Sequence, residues 1–237
     1  MTMKKLFFTL AITSAVVASR AQSEVRTLSI TPRVGTIFSN ISNESMGLGL
    51  PGNLSKGKTK VGLWAGADAR YQATATLAFS VGAYYERMGC RYDDTDLTRA
   101  TAGKHIAFKN NYFHLNYLGM PVMAHLYVAK GLAINVGARV AFLLSNTMHS
   151  EETSVTIGED GSYTYARNVD VLNAENKFVE KTDISVPIGV SYERQNVVLD
   201  ARYSFGLTNL YKGALDKKCK NRGVTVSVGY KFDLTNL

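Results

Sequence analysis

From about residue 27 onward the chain repeats one pattern eight times. Apolar residues take every second position of a short segment, and the segment ends in Gly, Asn, Ser or Asp. In the first, 27–38, Leu28, Ile30, Val34 and Phe38 share one face, while Ser29, Thr31, Arg33 and Gly35 share the other. A period of two belongs to a β-strand, whose side chains point alternately to opposite faces. The other segments are 60–71, 75–91, 112–128, 132–144, 181–192, 197–208 and 222–232. The fifth is the clearest: Leu132, Ile134, Val136, Val140, Phe142 and Leu144 stand against Asn135, Gly137 and Arg139. Pro32 lies on the apolar face without a donor, a blemish in a closed sheet.

The connections alternate in length. Long polar stretches at 39–59, 92–111, 145–180 and 209–221 alternate with short turns at 72–74, 129–131 and 193–196. Within the longest, Glu159, Asp160, Gly161 and Ser162 separate two β-prone runs and predict a hairpin. An even number of strands joined in this way runs up and down, with both ends on one side.

The direction of the apolar face decides the solvent. A soluble barrel buries apolar side chains inside and turns charge outward. Here the apolar face is long, free of charge and edged by aromatics, while the opposite face mixes Gly, Ser and Ala with charges. The reading is an all-β, eight-stranded, antiparallel, up-and-down transmembrane barrel of the bacterial outer membrane, since a closed sheet satisfies its backbone polar groups in lipid. The short turns then face the periplasm and the long loops face outward. Tyr71, Phe79, Tyr192, Tyr230 and Phe232 form one interface belt, and Phe38, Tyr85, Phe142 and Phe205 form the other.

Residues 1–21 read as a secretory signal: Lys4 and Lys5, an apolar run, then Ser19 and Ala21 placed for cleavage before Gln22. The barrel domain is 22–237. No Cys follows the cleavage site to carry a lipid. Loss of Lys4, Lys5 and Arg20 takes the formal charge from +8 to about +5. The basic residues are scattered, which argues against nucleic acid. The densest spot, Lys217 to Lys220, reads as a solvated loop facing anionic lipopolysaccharide.

The runs Tyr-Leu-Gly-Met-Pro-Val at 117–122 and Gly-Leu-Ala-Ile-Asn-Val-Gly at 131–137 carry a resemblance. So do Leu-Asp-Ala-Arg-Tyr at 199–203, Gly-Leu-Thr-Asn at 206–209 and Val-Gly-Tyr-Lys-Phe at 228–232. In order and spacing this resembles the porin-family outer-membrane barrels common in Bacteroidetes, over most of the mature chain. That family usually carries an acidic residue in the fourth strand where this chain has Gly119. The resemblance implies the barrel fold and does not by itself imply a pore.

Nine charged residues face inward: Arg33, Arg70, Arg139, Arg202 and Lys231 against Asp68, Glu86, Asp183 and Asp200. An eight-stranded lumen is just wide enough for side chains to fill it, and buried charges must pair. A salt-bridged plug is therefore favoured over a narrow conduit. Catalytic motifs are missing, and His105, His114, His125 and His149 lie apart in sequence. His114 is the residue weighed as a base beside Ser80 or Glu86, and a surface role is preferred. Asp93, Asp94 and Asp96 read as a solvated acidic loop rather than a calcium site. Cys90 and Cys219, both at the outer rim, are a candidate disulfide. No cofactor or metal is expected. The expected role is structural or in surface interaction through the long loops, with a narrow solute channel or a lipid-modifying enzyme as alternatives. Expected partners are outer-membrane lipid and lipopolysaccharide, the barrel-assembly machinery during insertion, and an extracellular ligand.

Overall fold

The computed structural model describes residues 25–47, 54–98, 100–213 and 218–234. The signal segment lies outside the described residues. Thirteen strands and no helix occur among them. Eight strands form the wall: β1 (Leu28–Ile41), β4 (Lys60–Gln72), β5 (Leu77–Arg91), β6 (Gly103–Ala129), β7 (Leu132–Ile157), β10 (Thr182–Arg194), β11 (Val197–Gly206) and β12 (Asn221–Tyr230). Each pairs antiparallel with its neighbour in sequence, and β12 pairs with β1 to close the ring. β13 (Phe232–Asp233) continues the β12 ladder on β1, and β2 (Ser45–Gly47) pairs with β3 (Leu54–Lys56) as a small flap in the first long loop.

Facing follows the period of two. On β1, Ser29, Thr31 and Arg33 are buried while Leu28, Ile30, Val34 and Phe38 are exposed. Exposure of Val34, Val61, Val122 and Leu199 is 52–59 %, so the large apolar residues stand on the outside of the ring. Tyr71 pairs with Phe79 at the short-turn end, and Tyr230 and Phe232 lie 4.9 Å apart. Phe38, Tyr85, Phe142 and Phe205 are exposed toward the long-loop end.

Three prolines enter this closed sheet, and each is accommodated in the same way. The ladders on β1, between β5 and β6 and between β7 and β10 omit the rungs beside Pro32, Pro121 and Pro187, then resume in unchanged register. A missing amide removes a rung without displacing the strand.

Polarity reverses at the outer end of the wall. Up to Tyr85 on β5, the outward positions are apolar and the inward ones polar. Beyond it, Arg87 and Arg91 face outward, while Met88 and Cys90 are buried inside. On β6 the same change takes Leu118 and Met120 outward to Asn116 and His114, with Leu115 and Phe113 buried within. The lower part has the pattern of a chain in lipid, and the upper part that of a chain in water. The reversal marks the outer membrane boundary.

The β6–β7 hairpin continues past that boundary. β6 starts at Gly103 rather than 112, and β7 runs to Ile157 rather than 144, so the expected loops there are largely strand. Bulges between Lys109 and Tyr112, and between Asn116 and Tyr117, shift the pairing and break the simple alternation. β8 (Tyr163–Tyr165) and β9 (Asp170–Ala174) extend the finger along β7. Leu97, Ala107, Val155 and Ile157 give it a small core. The predicted turn is present: Ile157 pairs with Tyr163, Gly161 adopts φ +77°, and the Ser162 amide donates to Asp160 Oδ1 at 3.0 Å.

Candidate functional site: the barrel interior and its outer mouth

All nine predicted inward charges are buried, and the structure brings them together in three layers. At the short-turn end, Arg70 lies 3.3 Å from Glu193 and donates to the Tyr127 hydroxyl at 3.1 Å. Lys231 bonds to the same Glu193. In the middle, Arg33 sits between Asp68 at 3.1 Å and Asp200 at 3.3 Å, and Arg202 donates to Asp200 at 2.7 Å. In the outer layer, Arg139 grips Glu86 with two donors and reaches Asp183 at 2.7 Å. Asn221 donates to the other oxygen of Asp183 and to the Tyr117 hydroxyl.

Glu193 escaped the sequence reading because it stands at the edge of a turn. A signal for it existed: five inward cations faced four acids, and Glu193 supplies the fifth. Lys60, also turned inward, donates to the Met88 carbonyl at the mouth.

Gly119 has a local reason. A Cβ there would fall 2.3 Å from Glu86 Oε1 and 3.0 Å from Arg139 Nε. In this chain the acid that meets Arg139 comes from β5, and the neighbouring strand yields the space.

Ser80 meets His125 rather than His114. The Ser80 hydroxyl lies 2.8 Å from His125 Nε2, and His125 Nδ1 lies 2.7 Å from Asn135 Oδ1. Asn135 donates its amide to Asp200 at 3.3 Å, which leaves Oδ1 to accept from His125. That arrangement orients the imidazole as an acid–base relay does, with Nε2 accepting from serine. Yet Ser80, His125 and Asn135 are 6 %, 1 % and 0 % exposed. The void described within the wall, beside Trp64, Glu86, Arg139 and Arg202, measures about 10 Å³, room for about one water. Buried and bonded to one another, the three side chains form a satisfied polar network.

Above the ion pairs the interior turns apolar. Ile37, Ile41, Met88, Phe113 and Leu115 pack with Val179 and Leu210 from the loops to fill the mouth. Cys90 and Cys219 join this cluster as buried thiols. Tyr92 donates to Glu44 at 3.2 Å. Burial, together with nearby Glu44 and the cysteines, pushes the hydroxyls of Tyr92 and Tyr211 well above the usual tyrosine range.

The loop acids work separately. Asp93 pairs with Lys58 at 2.6 Å, Asp94 accepts from the Asn110 amide, and Asp96 caps Thr98. His105 bonds to the Thr101 carbonyl. His114 and His149, distant in sequence, both pack on Tyr112 at 4.4 Å.

Solved structures similar to this chain are outer-membrane proteins. The attachment invasion locus protein Ail of Yersinia pestis shares 14 % identity over 88 % of this chain and 100 % of its own, with a TM-score of 0.40. Neisserial surface protein A shares 16 % over 86 % and 97 %, with a TM-score of 0.42. Outer membrane protein AlkL shares 12 % over 91 % and 94 %, with a TM-score of 0.41. No curated protein matches the chain. The model of the outer membrane protein beta-barrel domain matches residues 20–212. With its ring of eight strands, its apolar exterior and its charged interior, the chain belongs to that family of the bacterial outer membrane.

Proposed function

We propose that this chain is a closed barrel that works as a structural and surface-interaction protein, presenting its long outer loops above the membrane. The filled interior carries the reading: three layers of ion pairs lie beneath an apolar plug, around a void of about 10 Å³. A hydrated ion needs a continuous path, and opening one here requires pulling apart buried, mutually paired charges. The β6–β7 finger carries exposed Ile106, Tyr163, Tyr165, Val171 and Leu172, a surface suited to an extracellular ligand. Lipopolysaccharide and the assembly machinery are the partners that this location supplies. The test is conductance of the purified barrel in a planar lipid bilayer. Silence at all holding potentials is expected. Steady unitary steps would overturn the closed reading in favour of a narrow solute channel.

A further inference from the structure

The outer rim holds a basic cleft of about 540 Å³. Arg222 lines it from the start of β12 and Lys218 from the chain just before it, Ser45 and Lys56 from the β2–β3 flap, and Asn43 from the chain between β1 and β2. Glu44 also lines it, but its carboxylate accepts from Tyr92. Among the described residues, no ion pair takes up Lys56, Lys218 or Arg222.

Its height is set by the wall. Arg222 is exposed and paired in register with Phe205 on one side and Asn40 on the other. Two residues further along the same outward row comes Val224, and Phe38 lies opposite Val224 on β1. Phe38, Phe205 and Val224 are all exposed on the apolar band. Arg222 thus stands level in register with Phe205 and one step above Phe38 on the outward row. That is the level of the outer-leaflet headgroups, where anionic groups meet Lys and Arg. Arg87, outward above Tyr85, continues the same belt on β5.

We propose that this cleft binds the phosphorylated sugar headgroup of an outer-leaflet glycolipid, with Lys56, Lys218 and Arg222 holding its phosphate. A membrane lipid is the source that the position favours, because Arg222 of the cleft stands in register beside the exposed apolar residues Phe38, Phe205 and Val224, and three cations face the single carboxylate of Glu44 among the described lining residues. The inference rests on the membrane placement and not on the surface-interaction role.

The test uses the full barrel in phosphatidylcholine nanodiscs, with bisphosphorylated lipid A and chemically dephosphorylated lipid A as probes and native mass spectrometry as readout. The wild type is expected to retain the phosphorylated lipid selectively. A K56Q/K218Q/R222Q variant is expected to lose that preference, by about fivefold for each cation removed. Heat-modifiable migration on SDS gels shows whether the variant is folded. R222Q alone, a change at an exposed position, gives the same reading if the triple variant fails to fold. Equal retention of the two lipids by the wild type would overturn the proposal, as would undiminished preference in a folded variant. Displacement of the lipid by millimolar inorganic phosphate alone would also overturn it, by making this a site for free anions.

Discussion

Arg139 of β7 and Asp183 of β10 meet at 2.7 Å inside the wall, and the same guanidinium holds Glu86 of β5. One side chain thus ties three strands. Replacing it by Met leaves two buried carboxylates without a cation, and the expected loss is about 3–5 kcal/mol of stability. Trp64, the sole tryptophan, donates to Glu86 and stacks on Tyr84 at 4.0 Å, so its emission reports this layer. Urea unfolding followed by that emission should show an earlier midpoint for R139M. An unchanged midpoint would mean that the layer is relaxed by water.

Gly119 offers a complementary experiment. G119A overpacks the Glu86–Arg139 contact and should cost about 1–3 kcal/mol. Glu86→Ala should also destabilise, and combining it with Gly119→Asp should recover part of the loss by returning an acid to Arg139 from β6. The double variant is checked against each single one by the same unfolding curve.

The Ser80–His125–Asn135 relay should be chemically silent. Fluorophosphonate probes should leave Ser80 unlabelled in the folded barrel. S80A should leave lipid A composition unchanged on overexpression. H125A, by contrast, orphans Ser80 and Asn135 and should destabilise the barrel by about 1–3 kcal/mol. Labelling of Ser80 in the folded state would reopen an enzymatic role.

The mouth tyrosines give a pH dependence. Tyr92 and Tyr211 have hydroxyls held above the usual range, so near pH 10 the unfolded chain releases these protons while the folded one keeps them. Their contribution is fully present below the unfolded value and is lost as pH rises from there toward the folded one. Stability should therefore fall from about pH 10 upward. Y92F should flatten that fall. Ultraviolet phenolate absorbance of the folded protein should lag behind that of the denatured one.

Cys90 and Cys219 share the apolar cluster of the mouth. Bridge formation after export, by exchange with a disulfide-bearing oxidoreductase that accepts the two electrons, is the proposed covalent form. Mass spectrometry of the unreduced, denatured, alkylated protein should find neither cysteine modified. Two alkylated thiols would sink the bridge.

The fold was legible because lipid imposes a strict alternation, and each wall strand displays it in five or more residues. The charges inside were legible for the same reason, down to Arg33, Asp200 and Arg202. Legibility ended where lipid ended. At Arg87, Arg91, Asn116 and His114 the outward residues turn polar, as in loops, and Asn110 in a left-handed conformation, φ 51°, hides the strand on its far side. The contact of Ser80 with His125 was not legible, because His125 and His114 differ in the depth of β6 that each occupies, which one-dimensional spacing does not convey.

Above the level where β5 leaves the sheet at Arg91, β6 and β7 continue as a paired ribbon from Gly103 and to Ile157. Some ten residues of strand rise by roughly 30 Å. A protein meeting the cell from outside would touch the turn at Gly161 well before it reached lipid. That tip is the natural place to graft a foreign epitope. A peptide inserted there would be displayed clear of the bilayer, on a stalk stiffened by its own ladder, and the buried charges below would not register its arrival.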